Sequence, residues 1–146
     1  MPPIVVTTRA LIIHDGKLLI CKLSHNHDFY CLPGGKLDPG ETIEAGLERE
    51  LIEETGIKPV IGKLVFVNQF INAENHRIEF FFLVDNGADY ANFDHGQGSH
   101  AFEIADFKLA DPTGPELDLR PGFISQRFAE LCSQGNDFPT ETIVSN

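Results

Sequence analysis

Residues 42–56, TIEAGLERELIEETG, carry the period of an amphipathic helix. Ile43, Leu47 and Leu51 recur every four residues and form one apolar stripe. Thr42 suits the N-cap, Glu44 stands in the first turn, and Gly56 follows the last periodic residue. Gly46 costs a helix about 1 kcal/mol relative to alanine, so it predicts close packing at that point. The same segment gathers acidic side chains. At about 100° per residue, Glu50, Glu53 and Glu54 share an arc of about 100°, and Arg49 falls beside Glu53. Like charges at this spacing cost about a few tenths of a kcal/mol per pair. No lysine between Lys36 and Lys58 relieves them. A solvated acidic face is the ordinary reason for such a cluster. The missing lysines and the Gly-Gly pair just upstream favour another reason, convergence of oxygen ligands on a hard divalent cation, Mg²⁺ or Mn²⁺ rather than zinc.

Working outward, the β-branched run at 4–13 (IVVTTRALII) predicts a strand, Asp15-Gly16 a turn, and Leu18–Leu23 the hairpin partner. A polar loop, SHNHD, then leads to FYCLPGG at 29–35, where proline and paired glycines predict a stop to regular structure and close backbone approach. Downstream of the helix, 63–71 and 77–84 read as a second hairpin. Phe80, Phe81 and Phe82 must point to both faces of its sheet, which implies burial on each. Residues 85–100 form a long polar loop, a short strand is expected near 101–109, and a second helix at Phe123–Cys132. Hairpins interleaved with two helices give an α/β class, a mixed central β-sheet with helices on both faces.

The chain has 146 residues, a one-domain length, so 1–146 is expected to be a single domain with a loose tail from about 134 to 146. Its formal net charge is −11, which disfavours polymeric nucleic acid as a partner, because phosphate neutralisation needs lysine and arginine. A small phosphorylated substrate stays compatible if a cation supplies the positive charge. Cys21, Cys31 and Cys132 are odd in number and widely spaced, which argues against a disulfide framework and for a reducing, cytoplasmic setting. Arg9 interrupts the apolar N-terminus, which reads as a strand rather than a signal peptide, and no apolar run reaches the roughly 18–20 residues of a membrane span.

The residues from Gly35 to Ile57, GKLDPGETIEAGLERELIEETGI, resemble the signature of the Nudix hydrolases. Gly35, Glu41, Arg49, Glu50, Leu51, Glu53, Glu54, Gly56 and Ile57 all match it. With residue frequencies near 7%, a chance match at a given start is on the order of 10⁻⁸. The resemblance implies a Nudix α/β/α sandwich that hydrolyses a nucleoside diphosphate linked to another group. It implies Glu50, Glu53 and Glu54 as metal ligands, the Gly35 carbonyl as a further ligand, Arg49 as the orienting residue and Glu41 as an accessory acid. Bound Mg²⁺ (or Mn²⁺) would relieve the repulsion in the acidic helix, screen an anionic substrate and acidify the attacking water.

Outside the signature, Glu103 resembles the glutamate that opens the last strand in this family, and is a candidate catalytic residue near the metal. Lys22, at a strand end, is a candidate phosphate contact, and Phe29 or Tyr30 a candidate stacking partner for a base. Among the histidines, His27 and His100 are candidate substrate contacts, and His25, His76 and His95 are expected on surface loops. Subfamily signatures narrow the substrate. The proline typical of ADP-ribose pyrophosphatases is replaced by Asn72-Ala73-Glu74, the tyrosine typical of diadenosine polyphosphate hydrolases is missing, and Leu119-Arg120-Pro121 lacks the asparagine that reads oxidised guanine. The expected substrate is a nucleoside triphosphate or nucleotide conjugate. Alternatives on the same fold are a non-nucleotide phosphohydrolase, an isomerase, or a nucleotide sensor without catalysis. A homodimer would be common for the family.

Overall fold

The phenylalanine-rich run at the heart of the chain is its central strand. A computed structural model describes residues 1–94 and 96–146, with His27 described by its backbone alone. Thus His95, expected on a surface loop, and the side chain of His27, a candidate substrate contact, lie outside the described residues. Two sheets make the fold. The five-stranded sheet has the order β5-β1-β7-β6-β9, formed by Gly34–Lys36, Ile4–Leu11, His76–Val84, Ile61–Ile71 and Glu141–Ser145. In the four-stranded sheet, β3 (Lys17–Leu23) pairs with β2 (Ile13–His14), β4 (Asn26–Cys31) and β8 (Ile104–Ala110). Helices α1 (Ile43–Thr55) and α2 (Phe123–Gln134) complete the layers.

Strand alternation sorts the core onto the two helices. Leu11, Leu18, Ile20, Phe81 and Leu83 pack with Ile124, Phe128 and Leu131 of α2. Ala10, Ile12, Leu19, Phe82 and Val84 pack with Leu47 and Leu51 of α1. The expected burial of the β7 phenylalanines toward both faces is therefore met. Val65 and Phe66 break the alternation by joining the same cluster, because the β6–β7 register shifts between Leu64 and Phe66. Helix α1 starts where the Thr42 hydroxyl accepts from Ala45 N at 3.2 Å. It ends at Gly56, with φ 78° and its N–H on Ile52 O at 2.8 Å. Gly46 is indeed a close approach, since a Cβ there would lie 2.6 Å from Leu37 Cδ1.

Three expectations are corrected. The Asp15-Gly16 turn forms, with φ of 49° and 70°, but only Ile13 and His14 use it to pair with β3. Strand β1 instead runs parallel to β7 from Ile4↔His76 to Leu11↔Leu83, a non-local pairing that no turn signal announces. The SHNHD–FYCLPGG stretch is irregular only at Ser24-His25 and at Leu32-Pro33. Asn26–Cys31 is a strand, and Gly34–Lys36 pairs with Thr7–Arg9, because a Cβ on Gly34 would come 2.1 Å from Thr8 O. Here glycine extends the sheet by permitting close approach. Finally, the expected loose tail contains a strand. Residues 141–145 pair parallel to Phe66–Phe70, and Phe138 before them is fully buried. Among the described residues, no helix is long and apolar enough to cross a membrane.

Candidate active site

Arg49 is the hub of the acidic helix. Its guanidinium grips Glu41 with two bonds, Nε to Oε2 at 2.9 Å and Nη2 to Oε1 at 2.8 Å. Its Nη1 donates to Glu50 Oε1 and Glu53 Oε2, both at 3.2 Å, and Nη2 also reaches Lys36 O at 3.1 Å. With Asp38 Oδ2 3.4 Å from Nη2, the Arg49 guanidinium contacts four carboxylates. Its strongest partner, Glu41, comes from the loop rather than the helix. The Arg49 fork and the Asp38 N–H hold the Glu41 carboxyl down to about 2.

One turn further along, the environment reverses. Glu54 is only 4% exposed. Its Oε1 accepts from Gly34 N at 3.3 Å, while its Oε2 is buried without a partner among the described residues. Burial pushes its carboxyl well above the ordinary range, opposed by the charge of Arg9 and reinforced by that of Glu50. Glu50 is raised as well, chiefly by burial, with the hydrogen bond from Arg49 opposing. A Cβ on Gly35 would stand 2.6 Å from the Glu50 carboxylate, so the loop backbone and the helix carboxylate meet only because residue 35 is glycine.

Arg9 lines a cleft together with Glu50 and Glu54, where the sequence pattern does not point. Its Nη1 donates to Leu32 O and Gly34 O, both at 3.1 Å, which ties the glycine strand to β1 beside Glu54. The available signal was a lone arginine in an otherwise apolar strand, a place that a charged residue occupies only with partners.

Glu53 faces a loop. His100 Nδ1 lies 3.1 Å from Glu53 Oε2, and His100 N donates to Glu53 O at 2.7 Å. Gly98 lets this loop settle on the helix end, since a Cβ there would come 2.3 Å from Glu53 O. The structure therefore sets His100, a candidate substrate contact, against a candidate metal ligand.

Glu50 and Glu54 stand at one end of a cleft of about 910 Å³. Thr7 and Arg9, Gly34–Lys36, Ser24 and His25, Asn75–Arg77 and Phe102–Glu103 line it. Glu103, in the short turn Ala101–Glu103 just before β8, also lines the cleft. Lys22, Phe29 and Tyr30 do not line this cleft. Lys22 Nζ lies 4.6 Å from the Tyr30 ring, Lys108 Nζ is 4.5 Å from the same ring, and the Arg120 guanidinium sits 4.4 Å from the Phe29 ring. These cation–π contacts gather them into a separate cluster on β3, β4 and β8.

The carboxylates suit a hard cation by their chemistry: the donors are oxygens only, and Glu54 carries a buried oxygen without a partner among the described residues. As the side chains stand, no three His, Cys, Asp or Glu among the described residues enclose a common ion position. Arg49 holds Glu50 and Glu53 by one oxygen each.

Comparison with known proteins shows the family and the fold. The sequence model of the NUDIX domain matches residues 4–119. An ADP-ribose pyrophosphatase of Methanocaldococcus jannaschii is 33% identical over 84 residues, 55% of this chain and 50% of that protein. The nucleoside triphosphatase NudI of Escherichia fergusonii is 40% identical over 58 residues, 37% of this chain and 41% of that protein. The chain thus spans half or less of the length of these relatives. Among solved structures, a NUDIX hydrolase from Nitrosomonas europaea superposes with TM-score 0.71 at 19% identity, covering 100% of this chain and 81% of the other. The E. coli ORF135 protein gives 0.67 at 24% identity, covering 89% and 91%. Both show the same fold.

Proposed function

The chain belongs to the NUDIX family, and from that premise we propose that it is a pyrophosphohydrolase that cleaves a nucleoside triphosphate or nucleotide conjugate by attack of water at phosphorus. The observation that carries this reading is the buried Glu54 Oε2, without a partner among the described residues, which lines the cleft together with Glu50. Burying two carboxylates side by side is unfavourable unless a cation offsets them. Glu50, Glu53, Glu54 and the Gly35 carbonyl would hold Mg²⁺ or Mn²⁺. A cation there supplies neutralisation of the pyrophosphate and acidification of the attacking water.

The remaining work falls to the protein's own groups. Arg49 fixes the directions of Glu50 and Glu53, and Glu41 braces Arg49 from the loop. His100 holds Glu53 from its other side. Arg9 pins the Leu32–Gly34 backbone and so keeps the Gly34 N–H on Glu54. Glu103, which lines the same cleft, would take a proton from water or substrate. A net charge of −11 keeps polymeric nucleic acid away, so the partner is a small nucleotide. Both substrate types occur among the relatives, an ADP-ribose pyrophosphatase and a nucleoside triphosphatase.

The test is product analysis with Mg²⁺ and a panel of nucleoside triphosphates, dinucleoside polyphosphates and nucleotide sugars. Release of a nucleoside monophosphate, lost in Glu53→Gln, supports the reading. A panel left intact by the wild type, with non-nucleotide phosphates cleaved instead, overturns the nucleotide part of it.

A further inference from the structure

Beside the carboxylate cluster, the four-stranded sheet sets Cys21 of β3 directly opposite Cys31 of β4 in antiparallel register. Their Sγ atoms are 3.8 Å apart. Each sulfur also leans on the other residue's carbonyl, Cys21 Sγ on Cys31 O at 3.6 Å and Cys31 Sγ on Cys21 O at 3.5 Å. Directly opposed residues of an antiparallel pair have Cα atoms about 4.5–5.5 Å apart. A disulfide spans about 4.4–6.8 Å between Cα atoms, so side-chain rotation can close the bond without parting the strands. Both cysteines are buried, Cys21 0% and Cys31 9% exposed, which excludes a protein thiol and leaves Cys31 the nearer to solvent.

We propose that Cys21 and Cys31 form a modification site, an internal dithiol that a hydroperoxide converts into a cross-strand disulfide. The Cys31 thiolate attacks one peroxide oxygen, the O–O bond breaks, and the departing hydroxide takes a proton to leave as water, which gives a Cys31 sulfenic acid. The Cys21 sulfur then attacks the Cys31 sulfur, the S–O bond breaks, and hydroxide leaves with the Cys21 proton as a second water. Two thiols lose two electrons in all, and one hydrogen peroxide gains them.

The order of attack follows from the surroundings. Cys31 is the more exposed sulfur, and its hydrogen bond with Cys21 lowers its thiol to about 7, with Arg9 acting in the same direction and burial opposing. Cys21 is raised by that hydrogen bond and by burial. The closed loop contains Leu23, Ser24 and His25, which line the substrate cleft. The bond therefore staples the hairpin that forms one wall of the cleft. Because the strands are already in register, the staple rigidifies this wall rather than rearranging it.

Cys132 is exposed on α2 and must be removed from the readout. The full-length Cys132→Ala protein is treated with hydrogen peroxide, denatured in an alkylating reagent and weighed intact. The expected product has lost the mass of two hydrogens, carries no alkyl group, melts several degrees higher than the untreated protein and reverts with dithiothreitol. Adding Cys31→Ala or Cys21→Ala should abolish the mass loss and the rise in melting temperature. Two alkylatable thiols after treatment, oxygen adducts in place of hydrogen loss, or disulfide-linked dimers would overturn the proposal. Neither mass nor melting depends on hydrolysis, so this outcome stands apart from the substrate assay.

Discussion

Glu41 and Glu54 are the same side chain in opposite circumstances, and both belong to one motif. Glu41 is partly exposed, held by two bonds from Arg49, and its carboxyl is held down to about 2. Glu54 is buried, accepts one N–H, leaves one oxygen without a partner, and is pushed well above the ordinary range. The contrast separates two jobs that a string of glutamates conceals. One carboxylate braces the arginine that sets the geometry, and the other stores an unmet demand for positive charge. The first stabilises the fold as it stands. The second costs stability until something binds.

The largest effect should come from the unmet charge. Glu54→Gln should lower kcat by about 10²–10³-fold, the rate equivalent of several kcal/mol of lost charge stabilisation, while the metal-free protein melts no lower than the wild type. A variant that loses both rate and melting temperature would make Glu54 a structural residue and end the contrast. Next, Arg49→Lys keeps one charge but loses the fork, so activity should fall by about 10–100-fold as the carboxylates lose their directions. A steady-state assay with circular dichroism separates this from unfolding, and full activity would show that the fork does not matter.

The two glutamates should also separate by pH. The raised carboxyl of Glu54 contributes stability that is present below its unfolded pKa, about 4.3, and is lost as pH rises through its folded value. The depressed carboxyl of Glu41 contributes stability above about 4.3 that is lost as pH falls toward about 2. Melting curves of metal-free protein across this range should therefore show Glu54→Gln flattening the upper limb and Glu41→Gln the acid limb. Excess Mg²⁺ should raise the neutral-pH melting temperature of the wild type and much less that of Glu54→Gln. Equal metal stabilisation of both proteins would place the cation elsewhere. The smallest effect belongs to a residue on neither side of the comparison. Thr42→Ala removes the N-cap and should cost about 1 kcal/mol in denaturant unfolding, with kcat unchanged.

Much of this architecture was legible in local pattern. The helix from Thr42 to Gly56, the 63–71 and 77–84 hairpin, the packed Gly46 and the second helix all rest on spacing within a few residues, and the structure contains them. Helical geometry puts Glu50, Glu53 and Glu54 on one side of the helix, but only Glu50 and Glu54 line the cleft, while Glu53 turns to His100 and Arg49. Glu41 was legible as part of the motif, but its bidentate hold on Arg49 was not, because it joins a loop to a helix. Lys22, Phe29 and Tyr30 show the converse error of placing residues by proximity in sequence. They stand upstream of the motif yet do not line the cleft: Lys22 and Lys108 lie against the Tyr30 ring, and Arg120 against the Phe29 ring.

The sequence by itself thus determined the helix, its caps, its acidic face and the family whose motif it carries, since those depend on periodicity and residue type. Only the tertiary structure decided that β1 lies parallel to β7, that the Gly34–Lys36 segment is an edge strand, and that the C-terminal Glu141–Ser145 closes the other edge. It also decided that Arg9 pins the glycine backbone beside Glu54, and that His100 meets Glu53. The physical reason is common to all of these. Helices satisfy their hydrogen bonds within a few residues, whereas strand partners, buried charges and loop contacts are satisfied by groups far along the chain, and the whole fold must form before either partner is defined.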